Sequence, residues 1–309
     1  MRKLREHCAR TVLMVRPRCF GFNPQTASDN EFQHEEPQEA STCISQQAIV
    51  EFEAAVEVLE QNGLEVLVLD GNTAPGLKTP DELFPNNWFL TRPDRILEVF
   101  PMKHQNRQAE VRIGELIDVF EEAGRKVDKV VDWREILPFT LEGTGVLVFD
   151  HLKNQVFASY SPRCEKDALE KYASLLELEL IACNSEDFSG NPIFHTNVIL
   201  SIGEKFAVVC EEAIVKDLKG QRFLSELAIG RELVKISLEQ VHHFCGNVLA
   251  LESKNEEKLI VMSQSAYGAY TSEQLQTLQT HGRLVVVPLD IIEKVGGGSI
   301  RCMMAEVFL

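Results

Sequence analysis

The end of the chain carries residues that could present a nucleophile. Three consecutive glycines and a serine lead to Cys302, and a short apolar run follows it. Glycine reaches backbone conformations closed to other residues, so such a run can hold a thiol at a fixed point of a turn. A thiolate is a strong nucleophile, but it needs a base and a pocket. Because most single cysteines beside apolar residues only fill the core, the rest of the chain has to supply these partners.

A repeated unit supplies candidates for them. Each unit begins with polar residues that run into a strand, turns through a polar tip into a second strand, and then enters an amphipathic helix. The pattern predicts these three elements four times. The two strands of each unit are at 86–90 and 95–100, at 142–149 and 155–158, at 195–200 and 206–209, and at 245–250 and 258–262. The helices that follow are at 109–123, 165–176, 221–229 and 271–278.

The two ends of the chain predict a fifth unit that closes the others into a ring. A strand at 302–308 is expected to pair with a strand at 11–15, which a helix at 48–62 and a strand at 64–69 follow. The units begin every 50 to 57 residues. In a ring of such units the strand starts converge on one central region, which brings together a carboxylate, an imidazole and a thiol. The starting residues are Asn87, Glu142, His195, Cys245 and Cys302.

Composition limits the class of protein. The chain has 309 residues, 44% of them hydrophobic and 25% charged, which suits a large core, and we expect one domain over 1–309. The net charge of −16 opposes binding to nucleic acid or to an anionic membrane. No run of 18 apolar residues is present, and we expect a cytoplasmic protein. The eight cysteines are scattered singly, so free thiols are expected and no metal site.

Several motifs resemble one known superfamily. It is the guanidino-group-modifying or pentein superfamily of arginine deiminases, dimethylarginine hydrolases and amidinotransferases, and the resemblance rests on Glu142-Gly-Thr-Gly, His195-Thr-Asn and Gly-Gly-Gly-Ser-Ile-Arg-Cys302 in that order. Further segments resemble its branch of citrulline-utilisation hydrolases, namely Val15-Arg-Pro, Phe20-Gly-Phe-Asn, Phe84-Pro-Asn-Asn-Trp88 and residues 102–107. The resemblance covers nearly the whole chain.

This resemblance implies a fold and a set of roles. The fold is an α/β propeller with five blades of ββαβ units and pseudo-fivefold symmetry. Cys302 is implied as the nucleophile, His195 as general acid and base, and Glu142 as the carboxylate that holds the terminal nitrogens of the substrate. Arg107 and Arg163 are implied to bind the α-carboxylate, which a guanidinium can grip with two hydrogen bonds.

One departure from the family pattern concerns the substrate. Where deiminases acting on arginine carry an aspartate, this chain has Asn86 and Asn87, and Gly145 stands where a second acid often occurs. A buried guanidinium with one carboxylate fewer loses electrostatic stabilisation. A neutral ureido group offers a carbonyl acceptor and an NH2 donor, which the amide of Asn87 can match. A neutral substrate cannot help ionise the thiol, so Arg301 or protonated His195 is expected to do so.

The leading prediction is a cysteine hydrolase without a cofactor that acts on a small amino acid. Citrulline would give ornithine, ammonia and carbon dioxide through a covalent intermediate on Cys302. An arginine or methylarginine deiminase or amidinotransferase stays open, as does a non-catalytic propeller that only binds a partner. The loop at 20–47 is too long for a connector, and the part from Phe20 to Phe32 is expected to close over substrate. Phe32 is included among the substrate-binding residues, and a homo-oligomer is left open.

Overall fold

The computed structural model describes residues 7–35, 41–73, 76, 78–137 and 139–309. Within them the strands form five sheets of three strands each. The strands are β1 Thr11–Arg16, β2 Glu65–Asp70, β3 Phe89–Arg92, β4 Ile96–Val99, β5 Lys129–Asp132, β6 Val148–Asp150, β7 Gln155–Tyr160, β8 Glu179–Asn184, β9 Leu200–Ile202, β10 Phe206–Val209, β11 Glu232–Lys235, β12 Leu249–Glu252, β13 Lys258–Ser263, β14 Arg283–Val287 and β15 Ala305–Val307.

Helices connect and cover these sheets. They are α1 Ser41–Gln61, α2 Gln105–Gln108, α3 Ile113–Glu122, α4 Trp133–Ile136, α5 Gly143–Val146, α6 Lys166–Leu175, α7 Leu218–Ala228, α8 Leu238–His242, α9 Gln264–Ala269, α10 Ser272–His281 and α11 Ile300–Met303. None of the described helices has the length and apolar character that crossing a bilayer requires.

All five sheets share one topology. The central strand pairs antiparallel with one neighbour and parallel with the other, in the orders β15-β1-β2, β3-β4-β5, β6-β7-β8, β9-β10-β11 and β12-β13-β14. A helix crosses between the two parallel strands each time, as parallel pairing requires. Thr11 lies opposite Val307, so the predicted pairing of the two ends of the chain is confirmed.

The first strand of each unit begins later than the sequence pattern predicted. Helical turns occupy the predicted strand starts, at Pro85–Asn87, in α5, at Thr196–Val198 and in α11. Cys302 therefore lies in a short helix and does not open a strand, which corrects the prediction. Asparagine and glycine disfavour strand conformation, so each ladder begins only where the apolar run takes over.

The core lies on both faces of the sheets. In β1, Val12 and Met14 pack in the same cluster as Phe52 of α1, whereas Leu13 packs in a different cluster with Phe120 of α3. Successive side chains of a strand point to opposite faces, so a strand covered on both sides reads as a continuous apolar run.

Candidate active site

Five of the nine predicted site residues line one small cavity, which we call the nucleophile cavity. They are Asn87, Arg107, Arg163, His195 and Cys302. The cavity volume is about 20 Å³. A single water molecule needs roughly 10–15 Å³ by this measure, so the cavity is closed to anything as large as an amino acid.

Two asparagine amides surround the thiol of Cys302. Asn247 Nδ2 lies 3.2 Å from Sγ, and Asn197 Nδ2 lies 3.7 Å from it. Burial raises the pKa of Cys302 above its usual value, while Asn247, the backbone at Ser299, Arg301 and Asn197 oppose that rise. The cysteine is thus a protonated thiol at rest whose anion would be stabilised by amide hydrogens.

The glycine run before the cysteine is required by space and by backbone conformation. Gly297 has a φ of +62°, in the left-handed region. A Cβ at Gly298 would lie 2.8 Å from the Phe84 ring, and one at Gly296 would lie 3.0 Å from the same ring. The prediction that this run needs conformations particular to glycine is confirmed at Gly297.

His195 is held by a buried carboxylate. Its Nε2 lies 2.8 Å from Oε2 of Glu142. Burial raises the pKa of Glu142, but the charge of Arg163 and the contact with His195 outweigh it and bring this pKa down to about 2. Because the carboxylate can only accept, Nε2 carries the proton and Nδ1 remains an acceptor. Burial lowers the pKa of His195 to about 4, against the opposing effect of Glu142, so the ring is neutral at neutral pH.

Glu142 is held by contacts with His195 and with the backbone. It does not line the nucleophile cavity, and its Oε1 accepts the backbone N–H of Lys103 at 3.0 Å. One carboxylate oxygen is thus bonded to His195 and the other to the backbone. The implied role of Glu142 toward the terminal nitrogens of the substrate stays a prediction.

Asn87 presents a hydrogen-bond donor to the cavity. Its Oδ1 accepts from Nη1 of Arg107 at 2.7 Å, which fixes the orientation of the amide. Its Nδ2 is buried and has no partner among the described residues. A Cβ at Gly145 would collide with this Nδ2 and would lie 2.9 Å from Cε1 of His195, so the missing side chain at Gly145 makes room for both groups.

The two predicted arginines are both paired with carboxylates of the chain. Arg107 donates to Glu110, with Nη2 at 2.8 Å from Oε2. The guanidinium of Arg163 contacts Asp29 and also lies 3.7 Å from Glu142. Buried arginines need counter-charges, which these carboxylates supply, and the expected binding of the substrate α-carboxylate by both arginines stays a prediction.

Residues 20–35, which we call the covering segment, close the nucleophile cavity. Asn30 Nδ2 donates to the carbonyl of Gly297 at 3.3 Å, and Gln33 Nε2 donates to that of Gly296 at 3.0 Å. Phe32 packs against Phe194 with ring centroids 5.9 Å apart. Phe32 does not line the cavity itself, but Phe194 does.

Asp29 anchors the covering segment to the rest of the site. Besides Arg163, it bonds Lys103 and His104, the latter at 3.3 Å. Burial would raise its pKa, but these three partners overcome that effect and hold the pKa well below its usual range. Asp29 is thus an ionised carboxylate seated on a cationic group of residues.

Asn86 and Arg301 do not line the nucleophile cavity. The side chain of Asn86 is buried without a described partner, and its backbone carbonyl accepts from Thr144 Oγ1 at 3.1 Å. Nη1 of Arg301 donates to the carbonyl of Val248 at 3.4 Å, and this side chain borders a neighbouring cavity. Direct contact of these two residues with substrate is not supported by their positions.

The comparison with protein families decides the superfamily. A family model described as N,N dimethylarginine dimethylhydrolase, eukaryotic, matches residues 16–309. The chain belongs to this family. The predicted membership of the guanidino-group-modifying superfamily is thereby confirmed. No curated protein sequence matches the chain.

Solved structures share the fold at low sequence identity. The N-terminal domain of ArgZ, an arginine dihydrolase from cyanobacteria, superposes with a TM-score of 0.72 at 18% identity, covering 97% of this chain and 99% of that domain. A mutant of AgrE with L-arginine has a TM-score of 0.72 at 18% identity, but the 96% of this chain that aligns spans only 40% of AgrE. A dimethylarginine dimethylaminohydrolase adduct has a TM-score of 0.63 at 12% identity, covering 97% and 100%.

For this member of the family, the sequence reasoning missed residues around the thiol and in the covering segment. Asn197 and Asn247 each stand two positions after a predicted unit start, in His195-Thr-Asn and Cys245-Gly-Asn. That common position was the signal that could have found them. Asp29 carried no such signal, because it contacts Arg163 across 134 residues of sequence. Among the described residues, no group of three histidine, cysteine or acidic side chains could hold a metal ion.

Proposed function

We propose that the protein is a cysteine hydrolase that converts citrulline to ornithine, ammonia and carbon dioxide through a covalent intermediate on Cys302. Membership of the family supports hydrolysis of a carbon–nitrogen bond in a guanidino-like group. The preference for a ureido group rests on the geometry at Asn87.

The observation that carries this proposal is the unpartnered amide donor of Asn87. Arg107 occupies its oxygen, so the site offers N–H groups from Nδ2 next to His195. A ureido oxygen accepts such a hydrogen bond, whereas a guanidinium has only donors. Leaving a buried donor unmatched costs free energy, so the site favours the substrate that carries an oxygen.

The first chemical step joins the thiol to the ureido carbon. Neutral His195 takes the proton of Cys302 at Nδ1 as sulfur attacks, and Glu142 stabilises the imidazolium that forms. The amides of Asn247 and Asn197 stabilise charge on sulfur. His195 then gives the proton to the side-chain nitrogen, that C–N bond breaks, ornithine leaves, and Cys302 holds a carbamoyl thioester.

The second step returns the free enzyme. His195 takes a proton from water, the oxygen of that water attacks the carbamoyl carbon, and the C–S bond breaks with return of the proton to sulfur. The product, carbamate, decomposes to ammonia and carbon dioxide. The cycle requires no cofactor, and each proton passes through the same imidazole.

The α-carboxylate of the substrate is proposed to take the place of Asp29. Arg163 is the residue for which a carboxylate-binding role was expected, and a carboxylate of the covering segment lies against it in this closed structure. Because the closed cavity has room for about one water molecule, the segment must move before an amino acid enters. That movement would free Arg163 for the substrate.

The five sheets are proposed to be blades of a single propeller domain over 1–309. The strands that follow the catalytic turns contact one another between sheets, with β15 against β3, β6 against β9 and β9 against β12. Such contacts support an arrangement of the turns before these strands around one axis, close to the nucleophile cavity.

A second candidate is hydrolysis of arginine. The relatives ArgZ and AgrE are described as an arginine dihydrolase and as a protein in complex with L-arginine. In this chain Asp81 lines the nucleophile cavity, where its carboxylate is bonded by Asn23 at 2.7 Å and Thr26 at 2.9 Å from the covering segment. Once the segment moves, Asp81 could face a guanidinium.

The test is a substrate panel with the purified protein. Citrulline, arginine, methylarginines and agmatine are incubated separately, and ornithine, citrulline and ammonia are measured. We expect ornithine and ammonia from citrulline with the highest kcat/KM, and a mass increase of one carbamoyl group on Cys302 in acid-quenched protein. Cys19→Ser, which removes an exposed thiol, is the control for loss of a cysteine. Turnover of arginine without turnover of citrulline would overturn the substrate proposal and leave the nucleophile in place.

A further inference from the structure

A second cavity, larger than the nucleophile cavity, is separate from it. It has a volume of about 530 Å³ and lies between the sheet β3-β4-β5 and the sheet β6-β7-β8, beside the end of the chain at Phe308. We call it the intersheet cavity. It shares no lining residue with the nucleophile cavity. Its size falls within the range of small-molecule sites, roughly 300–1,000 Å³.

Several aromatic rings line the intersheet cavity. The ring of Phe149 stacks on that of His151 with centroids 5.4 Å apart, and Phe308 meets His151 edge-on at 5.2 Å. Tyr172 lies on the same cavity. Phe149 and Phe308 are only half-buried, and both border the cavity. Aromatic faces are electron-rich and attract organic cations.

Most charges at the intersheet cavity are already matched. Arg92 pairs with Asp94 at 2.9 Å and with Glu98 at 3.1 Å. Glu98 also accepts from the indole of Trp133 at 2.8 Å and from the hydroxyl of Tyr172 at 3.0 Å. These groups form a closed network that has little capacity for a ligand.

Glu306 is the exception. No described cation lies within salt-bridge distance of its carboxylate, although it borders both the intersheet cavity and the small cavity that contains Arg301. Burial raises the pKa of Glu306 to about 7, against opposing effects from the charge of Arg301 and a hydrogen bond with the backbone of Ala9. The carboxylate would gain stability from a cation placed in the cavity.

We propose that the intersheet cavity binds a small organic cation with an apolar body, of the arylalkylammonium class. The ammonium lies at the carboxylate of Glu306, and the aromatic body lies against Phe149 and Phe308. Both parts of the ligand follow from the wall, since a wholly apolar molecule would leave Glu306 unpaired and a bare cation would leave the aromatic faces wet. This site is independent of the proposed reaction at Cys302.

The test is calorimetric titration of the full chain, in mildly alkaline buffer, after Cys302 has been alkylated to block the nucleophile cavity. The probes are 2-phenylethylamine, its neutral analogue 2-phenylethanol and the anion phenylacetate. We expect the amine to bind about tenfold more tightly than the alcohol, and the anion not to bind, because a charge-assisted hydrogen bond is lost in the first case and repulsion is added in the second. Equal binding of amine and alcohol would overturn the proposal.

Two variants locate the site. Glu306→Gln should weaken amine binding about tenfold and leave binding of the alcohol unchanged. Asp94→Asn is the matched control, since Asp94 also borders the cavity but is paired with Arg92 at the exposed rim. An equal loss in both variants, or unchanged binding in Glu306→Gln, would contradict the assignment. Because the readout is binding and not turnover, failure here leaves the citrulline proposal untouched, and the reverse also holds.

Discussion

The nucleophile cavity is much smaller than the intersheet cavity, yet it has the more reactive side chains. The first has a volume of about 20 Å³ and the second about 530 Å³. The small one is lined by a thiol, a neutral imidazole and an amide with an unpartnered donor. The large one has apolar walls, matched ion pairs and one carboxylate that has no described cation within salt-bridge distance. Volume in the closed structure therefore does not indicate which cavity holds the thiol and the imidazole.

The difference has a physical cause. Groups that perform acid–base and nucleophilic chemistry have to be removed from water, and removal is tolerable only when neighbours supply most of their hydrogen bonds. The walls of the nucleophile cavity therefore lie close together. A cavity that only binds an apolar body has no such requirement and can stay open.

The largest expected effect is loss of turnover when either reacting group of the nucleophile cavity is removed. Cys302→Ser and His195→Ala should each lower kcat by about 10³-fold or more, because the covalent step and its proton transfers disappear. Steady-state assays with citrulline measure this effect, and circular dichroism checks that the fold is retained. Retained activity in a folded Cys302→Ser protein would place the chemistry elsewhere in the molecule.

The next effect concerns the carboxylate behind the imidazole. Glu142→Gln should lower kcat about 10²- to 10³-fold, because the charge that stabilises the imidazolium is lost while the hydrogen bond to Nε2 can persist.

The pH dependence of the unmodified protein is set by His195, which acts as base only when neutral. Burial lowers the pKa of His195 to about 4. In the unmodified protein kcat/KM should therefore stay level from neutral pH down to about pH 5.

A pH–rate profile measured with citrulline decides this point. An acidic limb centred near the ordinary pKa of histidine, 6.5, would mean that the ring is solvated in the working enzyme. The contrast between a dry reactive cavity and an open binding cavity would then weaken. A Glu142→Gln protein with unchanged kcat would show that the pair with His195 serves stability alone.

Much of the frame of the site could be predicted from the sequence. The repeat of polar strand starts, 50 to 57 residues apart, predicted that groups distant in the chain meet, and it predicted the pairing of the two ends. A periodic pattern of this kind reflects a repeated unit of strands and helix, because the backbone hydrogen bonds of each unit are the same even where the side chains differ. Asn87, His195 and Cys302 accordingly line one cavity.

The partners of the buried charges could not be predicted in the same way. Arg107 pairs with Glu110 three residues away, a spacing typical of helix neighbours and visible in the sequence. Arg163 pairs with Asp29, which belongs to a segment without periodicity. Any of the 47 acidic residues could have met that guanidinium, and only packing decides which one does. The volume left between two sheets is likewise a result of packing.

The third expected effect concerns substrate preference, and it tests whether Asn87 selects citrulline over arginine. Asn87→Asp keeps an acceptor for Arg107 but replaces the N–H donors with a carboxylate oxygen. Turnover of citrulline should fall about 10- to 100-fold, and turnover of arginine should rise or first appear. Both kcat/KM values are measured on the same preparation.

The control for Asn87→Asp is the same substitution at the preceding residue, Asn86. Asn86→Asp alters a buried amide that does not line the cavity, so it should change both activities in proportion through stability. Proportional losses in Asn87→Asp as well would mean that Asn87 only supports its neighbours. The preference for citrulline would then rest on family resemblance.

The smallest expected effect concerns the covering segment, whose Asp29 occupies Arg163 while the cavity is closed. Asp29→Asn removes the competing carboxylate and also loosens the contacts with Lys103 and His104. Both changes favour entry of substrate, so KM for citrulline should fall about 3- to 10-fold with kcat nearly constant.

Ser28→Ala is the matched control on the same segment, because the hydroxyl of Ser28 donates to the backbone of Gln25 and KM should not change. Hydrogen exchange over residues 20–35 should be faster in Asp29→Asn than in the unmodified protein. A higher KM in Asp29→Asn would mean that Asp29 holds the segment closed over bound substrate, and Arg163 would then recognise its own chain in both states.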